Sequence, residues 1–348
     1  ERIVEVTQYK GDSETHPVLS PDDEFADYET WDMANLGGRP NRPEMLPFSY
    51  VRSALNLGLD VAAASGANPF KFGMIGSTDS HTGMAAGEED NFWGKFSENE
   101  ARPKRWEDPF FPDMGERSPP LQYYEWQMAA SGYAAVWARE NTRAAIFDAM
   151  MRKETYATTG PRIVVRMFGG WGFEPGDEHT PDLAAEGYAG GVPMGGDLAA
   201  AVKGQVPRFL IAAQRDPSGA NLDRVQLIKG WRDAGGELHE RIYDVAVSGG
   251  RKIERDGRAR KAVGSTVDIE NARYTNSIGA SELAAVWKDP AFDPAQPAFY
   301  YVRVIEIPKP RWTAYDARYF GTRIPDEVPR VTRDRAYTSP IWYTPAAR

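Results

Sequence analysis

Apolar residues open the chain. Ile3, Val4 and Val6 around Glu5 predict a buried strand, which runs into the polar loop 10–17. Over residues 46–64 apolar positions recur at three- and four-residue steps (Val51, Leu55, Leu59, Ala62), predicting an amphipathic helix. Residues 70–77 read as a short strand that ends in the polar, glycine-bounded tip 78–83. α/β folds place their chemistry at such carboxyl-terminal strand tips. Periodicity lapses over 83–125, a stretch rich in Pro, aromatics and charge. Loops of that length are functional or disordered, and Phe92, Trp93, Phe96, Trp106, Phe110 and Phe111 favour a packed cap. A helical pattern returns over 131–153 (Tyr133, Val136, Trp137, Ile146, Phe147, Met150), and Gly160-Pro161 stops the regular structure that follows.

Beyond Arg162 the texture changes. Residues 163–168, 208–213, 224–229 and 299–306 are β-rich runs separated by turn clusters such as 216–219 and 233–236. Several alternate apolar with polar, as half-buried antiparallel strands do. The expected fold class is therefore α/β plus β. An α/β part, 1–160, carries the cap insertion 83–125, and a β-sandwich-like domain spans 161–348. A length of 348 residues suits about two domains. A protein seldom starts inside a core strand, so further sequence upstream of Glu1 is expected.

Composition narrows the chemistry. Apolar residues at 41% and charged ones at 26% describe an ordinary folded chain, and no run is apolar enough for a membrane span. A net charge of −9 repels phosphate backbones, so nucleic acid is not expected as a partner. The absence of cysteine removes disulfides, thiolate catalysis and Cys-ligated metals. Metal or acid–base chemistry must then draw on carboxylates and four histidines: His16, His81, His179 and His239.

Asp79-Ser80-His81 is the sharpest signal. In extended backbone, residues two apart point to the same side, so carboxylate and imidazole can converge on one ion of Zn, Mn or Fe. The bland alternative is a histidine that hydrogen-bonds a turn. Glu14-Thr15-His16 repeats the spacing on the other tip, where His16 is a candidate functional group or a loop histidine. Lys10 and Asp12 beside it are substrate contacts or solvated charges. His179 falls in an exposed acidic turn and His239 on the solvent face of a strand; neither is assigned a role. The glycine pairs 190–191 and 195–196 do not make a dinucleotide-binding fingerprint, and no nucleophile elbow is present.

These residues are similar to a known pattern. The run 76–81, Gly-Ser-Thr-Asp-Ser-His, resembles the last metal motif of the polymerase-and-histidinol-phosphatase (PHP) superfamily, a distorted (β/α)7 barrel holding two or three metal ions. The segment 152–162 resembles the one that follows the barrel in the carbaryl-hydrolase-like branch. Together with 5–17 and 335–343, the whole chain resembles the domain of unknown function 3604, whose members are PHP-like and about twice this length. That family's H-x-H motif and its further early histidines lie upstream of the strand with which this chain begins. The resemblance therefore implies the C-terminal part of a PHP-type barrel followed by a β-sandwich-like domain. It implies Asp79 and His81 as metal ligands, Glu14 and His16 as catalytic or ligand residues, and Arg162 as a contact to an anionic small-molecule substrate, beside which Lys10 is the substrate contact expected from its loop. Arg162 at a domain junction also suits a structural salt bridge.

The expected function is a metal-dependent hydrolase of phosphoesters or similar esters or carbamates, using divalent Mn, Fe or Zn. It would be incomplete without ligands from another polypeptide, such as an N-terminal half of the same protein. A ligand- or carbohydrate-binding module with a vestigial metal site is the alternative. The family resemblance points to a periplasmic or secreted protein.

Overall fold

The opening run of alternating residues forms β1 (Ile3–Gln8), which turns back through β2 (Gly11–Asp12). In the computed structural model, which describes residues 1–34, 39–110 and 123–346, β1 next pairs in parallel with β3 (Gly73–Gly76). Helix α1 (Val51–Ser65) makes the crossover between them, as a parallel pair requires. It ends where Gly66 takes a left-handed conformation (φ 81°) that only glycine adopts without penalty. Its Val51, Leu55 and Leu59 are buried, as the three- and four-residue spacing predicts.

Next come β4 (Tyr133–Val136), α2 (Arg143–Met151), β5 (Thr155–Thr158) and β6 (Val164–Gly170). Helix α3 (Leu183–Gly190), β7 (Gly191–Pro193), β8 (Asp197–Leu198) and β9 (Arg208–Gln214) lead to the long β10 (Leu222–Arg232) and β11 (Leu238–Val247). After β12 (Glu282–Lys288) and β13 (Ala298–Glu306), β14 (Lys309–Pro310) and β15 (Val331–Thr332) pair around α4 (Trp312–Phe320). The closing strands are β16 (Arg335–Thr338) and β17 (Ile341–Tyr343).

One sheet runs β11-β10-β13-β16-β5-β4 with antiparallel neighbours, and β17 and β8 join it beside β13. A four-stranded sheet runs β12-β9-β6-β7. The large sheet carries an apolar cluster on each face. Along β13, Phe299 and Tyr301 join α1, Val6 and Met74 in one cluster. The alternate residues Tyr300, Val302 and Val304 meet Val165, Met167, Phe209 and Ile211 of the four-stranded sheet in another. The architecture is α/β with mixed sheets and helices, and among the described residues no strand set closes into a barrel. Strand pairing crosses residue 160, because β5 pairs with β16.

The helix expected over 131–153 is shorter than its pattern. Tyr133–Val136 is a strand, drawn out by pairing with β5, and the helix begins only after Thr142, whose hydroxyl caps the Ala145 N–H. In the expected cap, Phe92, Phe110 and Tyr123 pack with Tyr9 and Trp312 in a third cluster. Residues 111–122 of that insertion, Phe111 among them, lie outside the described residues.

The polar half of the seam between α1 and the large sheet is ionic. Arg303 of β13 donates to Glu14 (2.8 Å) and Asp23 (2.7 Å), and Arg52 of α1 donates to the same two carboxylates. Tyr301 and Gln226 complete the set. Burial pushes both carboxyls up, but the two guanidiniums outweigh it and hold both below the usual range. Two cations against two anions leave no net buried charge, and removing one member strands the others. Arg303→Ala should therefore lose about 3–5 kcal/mol of stability in urea unfolding. A loss under about 1 kcal/mol would show that the network carries no such weight.

Asp12 lies next to this network and behaves oppositely. Burial first, then the Glu14 charge, lifts its carboxyl from 3.8 to about 7. The folded chain thus keeps a proton that the unfolded chain gives up, so Asp12's contribution to stability falls between about pH 4 and 7 and is flat above. Asp12→Asn should flatten that slope, narrowing its deficit or widening its gain in melting temperature as pH rises. Parallel pH–stability curves for the two proteins would refute the assignment.

Candidate functional site

The parallel pair β1–β3 brings its two carboxyl ends together, and backbone bonds carry the pairing past both strands: Ser77 N–H to Thr7 O (3.1 Å) and Tyr9 N–H to Thr78 O (3.3 Å). Small residues let this pair lie flat on its neighbours. A Cβ at Gly76 would stand 2.9 Å from the Tyr133 carbonyl, and one at Gly73 would stand 2.8 Å from the Ser339 and Thr155 hydroxyls. The loops 9–13 and 77–82 therefore emerge side by side.

Asp79 sits on the second loop in a left-handed conformation (φ 54°), uncommon for a residue with a side chain and concentrated at functional turns. Its carboxylate meets the His81 Nε2 at 3.4 Å and the ammonium groups of Lys10 and Lys95. Burial raises the Asp79 carboxyl, but hydrogen bonds from the two lysines prevail and bring it down to about 2. Lys95 is almost fully buried, and burial lowers its ammonium pKa. Its own carbonyl receives the His81 N–H (2.8 Å), so one segment clamps the whole tip. The His81 ring is half-exposed and stands edge-on to Phe96 at 4.6 Å.

The Glu14–His16 tip is built differently. Glu14 turns inward to Arg52, Arg303 and Tyr301, away from solvent. His16 donates through its Nε2 to Asp32 (3.0 Å), while its Nδ1 accepts the Val18 N–H (3.1 Å), which leaves the ring proton on Nε2. Both ring nitrogens are thus engaged. Asp32 lines a cavity of ≈ 400 Å³ together with Lys10, Glu5 and Tyr50. Within that wall Glu5 accepts from Ser77 and Gln8.

The structure thus unites Lys10, Asp79 and His81, and Lys10 reaches from them to the wall of the cavity that Asp32 shares. It does not join Glu14 or His16 to Asp79. Among the described residues, no group of three or more His, Asp and Glu is placed to hold a metal ion. Arg162 lies elsewhere. Its N–H donates to Asp216 (2.7 Å), and its exposed side chain shares a pocket of ≈ 220 Å³ with Glu88, Glu89 and Asp90. His179 is exposed, and His239 stacks on Trp231 while bonded to Asp233 (2.8 Å).

Three participants escaped the sequence reading. Glu5 carried a signal, a carboxylate among the apolar positions of a strand ending at the site. Asp32 and Lys95 carried none, since they arrive from loops without periodicity.

Among the described residues no helix is long and apolar enough to cross a membrane. No curated protein and no solved structure matches the chain. Residues 1–345 match the family described as Protein of unknown function (DUF3604), and the chain belongs to that family.

Proposed function

We propose that this chain supplies part of the active site of a PHP-like, metal-dependent hydrolase acting on phosphoesters or similar esters or carbamates. The carrying observation is the Asp79–His81 pair on a parallel-strand tip, with a left-handed backbone and two lysines closed on its carboxylate. On this reading, β1, α1 and β3 belong to the C-terminal part of a distorted barrel within 1–160. The two packed sheets form the core of a sandwich-like domain built on 161–348, to whose larger sheet the preceding part lends β4 and β5.

The donor chemistry fits. A carboxylate and an imidazole within 3.4 Å suit Mn, Fe or Zn, and the two ammonium groups stand where positive charge is wanted. The number is short: two donors leave a shell that another polypeptide segment would complete. A divalent ion held there would supply an acidified water and polarise the scissile group. Lys10, released from Asp79, would bind the anionic substrate from the cavity wall. Lys95, being buried, would stay and hold the loop. His16, its Nδ1 held by the Val18 N–H, would keep its Nε2 proton on Asp32 and orient that carboxylate to accept a proton at the cavity. Glu14 would position that loop from the network beneath it.

Calorimetric titration with Mn²⁺ or Zn²⁺ tests the donor pair. The wild-type chain should bind weakly and the double variant Asp79→Ala/His81→Ala not at all; equal binding by both sinks the assignment. In the protein as the cell makes it, Asp79→Ala should lower turnover of p-nitrophenyl phosphate at least about a hundredfold. Turnover that survives this change removes the hydrolase reading.

A further inference from the structure

A second cavity, ≈ 750 Å³, opens between the 24–33 loop, the start of β10 and residues 329–335; among the described residues it shares only Asp32 with the Lys10 cavity. Its volume lies in the range of small-molecule sites, about 300–1,000 Å³. Charge lines it on all sides, and nearly every charge is answered. Arg224 pairs with Glu24 (2.7 Å), Arg333 with Asp223 (3.2 Å) and Arg260 with Asp256. Glu29 pairs with Arg311 (2.8 Å) and Asp32 with His16 (3.0 Å). Asp27 is exposed and solvated.

Arg335 is the exception. It is 2% exposed, yet it has no carboxylate at ion-pair distance among the described residues. Its Nη1 donates to the Phe25 carbonyl (2.9 Å), and its Cζ lies over the Tyr28 ring, 3.6 Å from the centroid. The Nε–Nη2 edge is left over: Nε reaches only the Arg333 carbonyl at 3.4 Å, and Nη2 has no hydrogen-bond partner among the described residues. The nearby Asp12 offers little compensation, because burial keeps its own carboxyl near 7. A buried cation without an anion is costly to keep. One face stacked, one edge anchored and one edge open is the geometry in which a guanidinium takes two oxygens of a carboxylate or phosphate.

We propose that this cavity binds a small organic anion, its carboxylate or phosphate held by the open edge of Arg335 and its flat apolar body laid against Trp126 and Met33. Those two side chains line the same cavity and give it an apolar wall. An inorganic anion would leave most of the volume empty, which argues for an organic body. The site is independent of the hydrolase reading, since it uses neither Asp79 nor His81.

Calorimetric titration with benzoate and with phenyl phosphate tests it, using methyl benzoate as the neutral match and inorganic phosphate as the bare anion. At least one aryl anion should bind saturably at one site, and whichever binds more tightly distinguishes carboxylate from phosphate. The neutral ester should not bind, and inorganic phosphate should bind more weakly than phenyl phosphate. Arg335→Lys keeps the charge but not the fork and should weaken binding about tenfold or more. Trp126→Ala should weaken it as well while leaving Arg335 in place. Melting curves of each variant report whether the fold survives. Should Arg335→Lys not fold, Trp126→Ala and the ester comparison still decide. The proposal is overturned by the absence of saturable binding for both aryl anions, by an ester that binds as well as benzoate, or by folded variants with wild-type affinity.

Discussion

The exchange of Glu14 and Asp23 with Arg52 and Arg303 ties this molecule together. Arg303 stands near the middle of β13, the central strand of the large sheet, and Arg52 on the first turn of α1. The two carboxylates come from the loop beyond β2, so four charges from three separate elements meet where water is excluded. An apolar contact of that size would tolerate sliding by a fraction of a side chain. Paired guanidiniums and carboxylates do not, because each buried donor needs its acceptor in line. The network thus fixes the angle at which the β1–α1–β3 unit sits on the sheet, and with it the direction of the Asp79 tip.

Apolar packing and small residues do the rest. The cluster of Val6, Met74, Leu55 and Phe299 supplies the area, while Gly73 and Gly76 allow backbone to approach backbone. The tip loops project from a rigid base as a result. Lys95, though from the irregular insertion, is fixed just as firmly by its bonds to Asp79 and His81. A loop can thus contribute a well-placed charge without regular structure of its own.

What the sequence revealed follows the reach of each interaction. Strands β1, β6, β9, β10 and β13 and helix α1 were legible because alternation or helical spacing is local. Asp79 and His81 were legible as neighbours on a strand tip. Glu14 was read as part of that tip, yet Arg303 and Tyr301, nearly three hundred positions away, draw it inward. Residues 133–136 fit a helical spacing, but their pairing with β5 prevailed over the local pattern. Asp32 and Arg335 stood in no pattern at all; only the folded chain makes one an exposed end of a His–Asp pair and the other a cation lacking its anion.

Strand β16 lies between β13 and β5, although β5 precedes it by more than half of the chain. During synthesis, β4 and β5 leave the ribosome long before residues 335–338, and until then their antiparallel pair has an open edge. Among the described residues no other strand fills that place, so the sheet stays in two pieces until β16 threads between them. Such late, long-range closure slows folding and leaves strand edges open to other chains. Loss of β16 would therefore leave a split sheet rather than a sheet short by one edge strand.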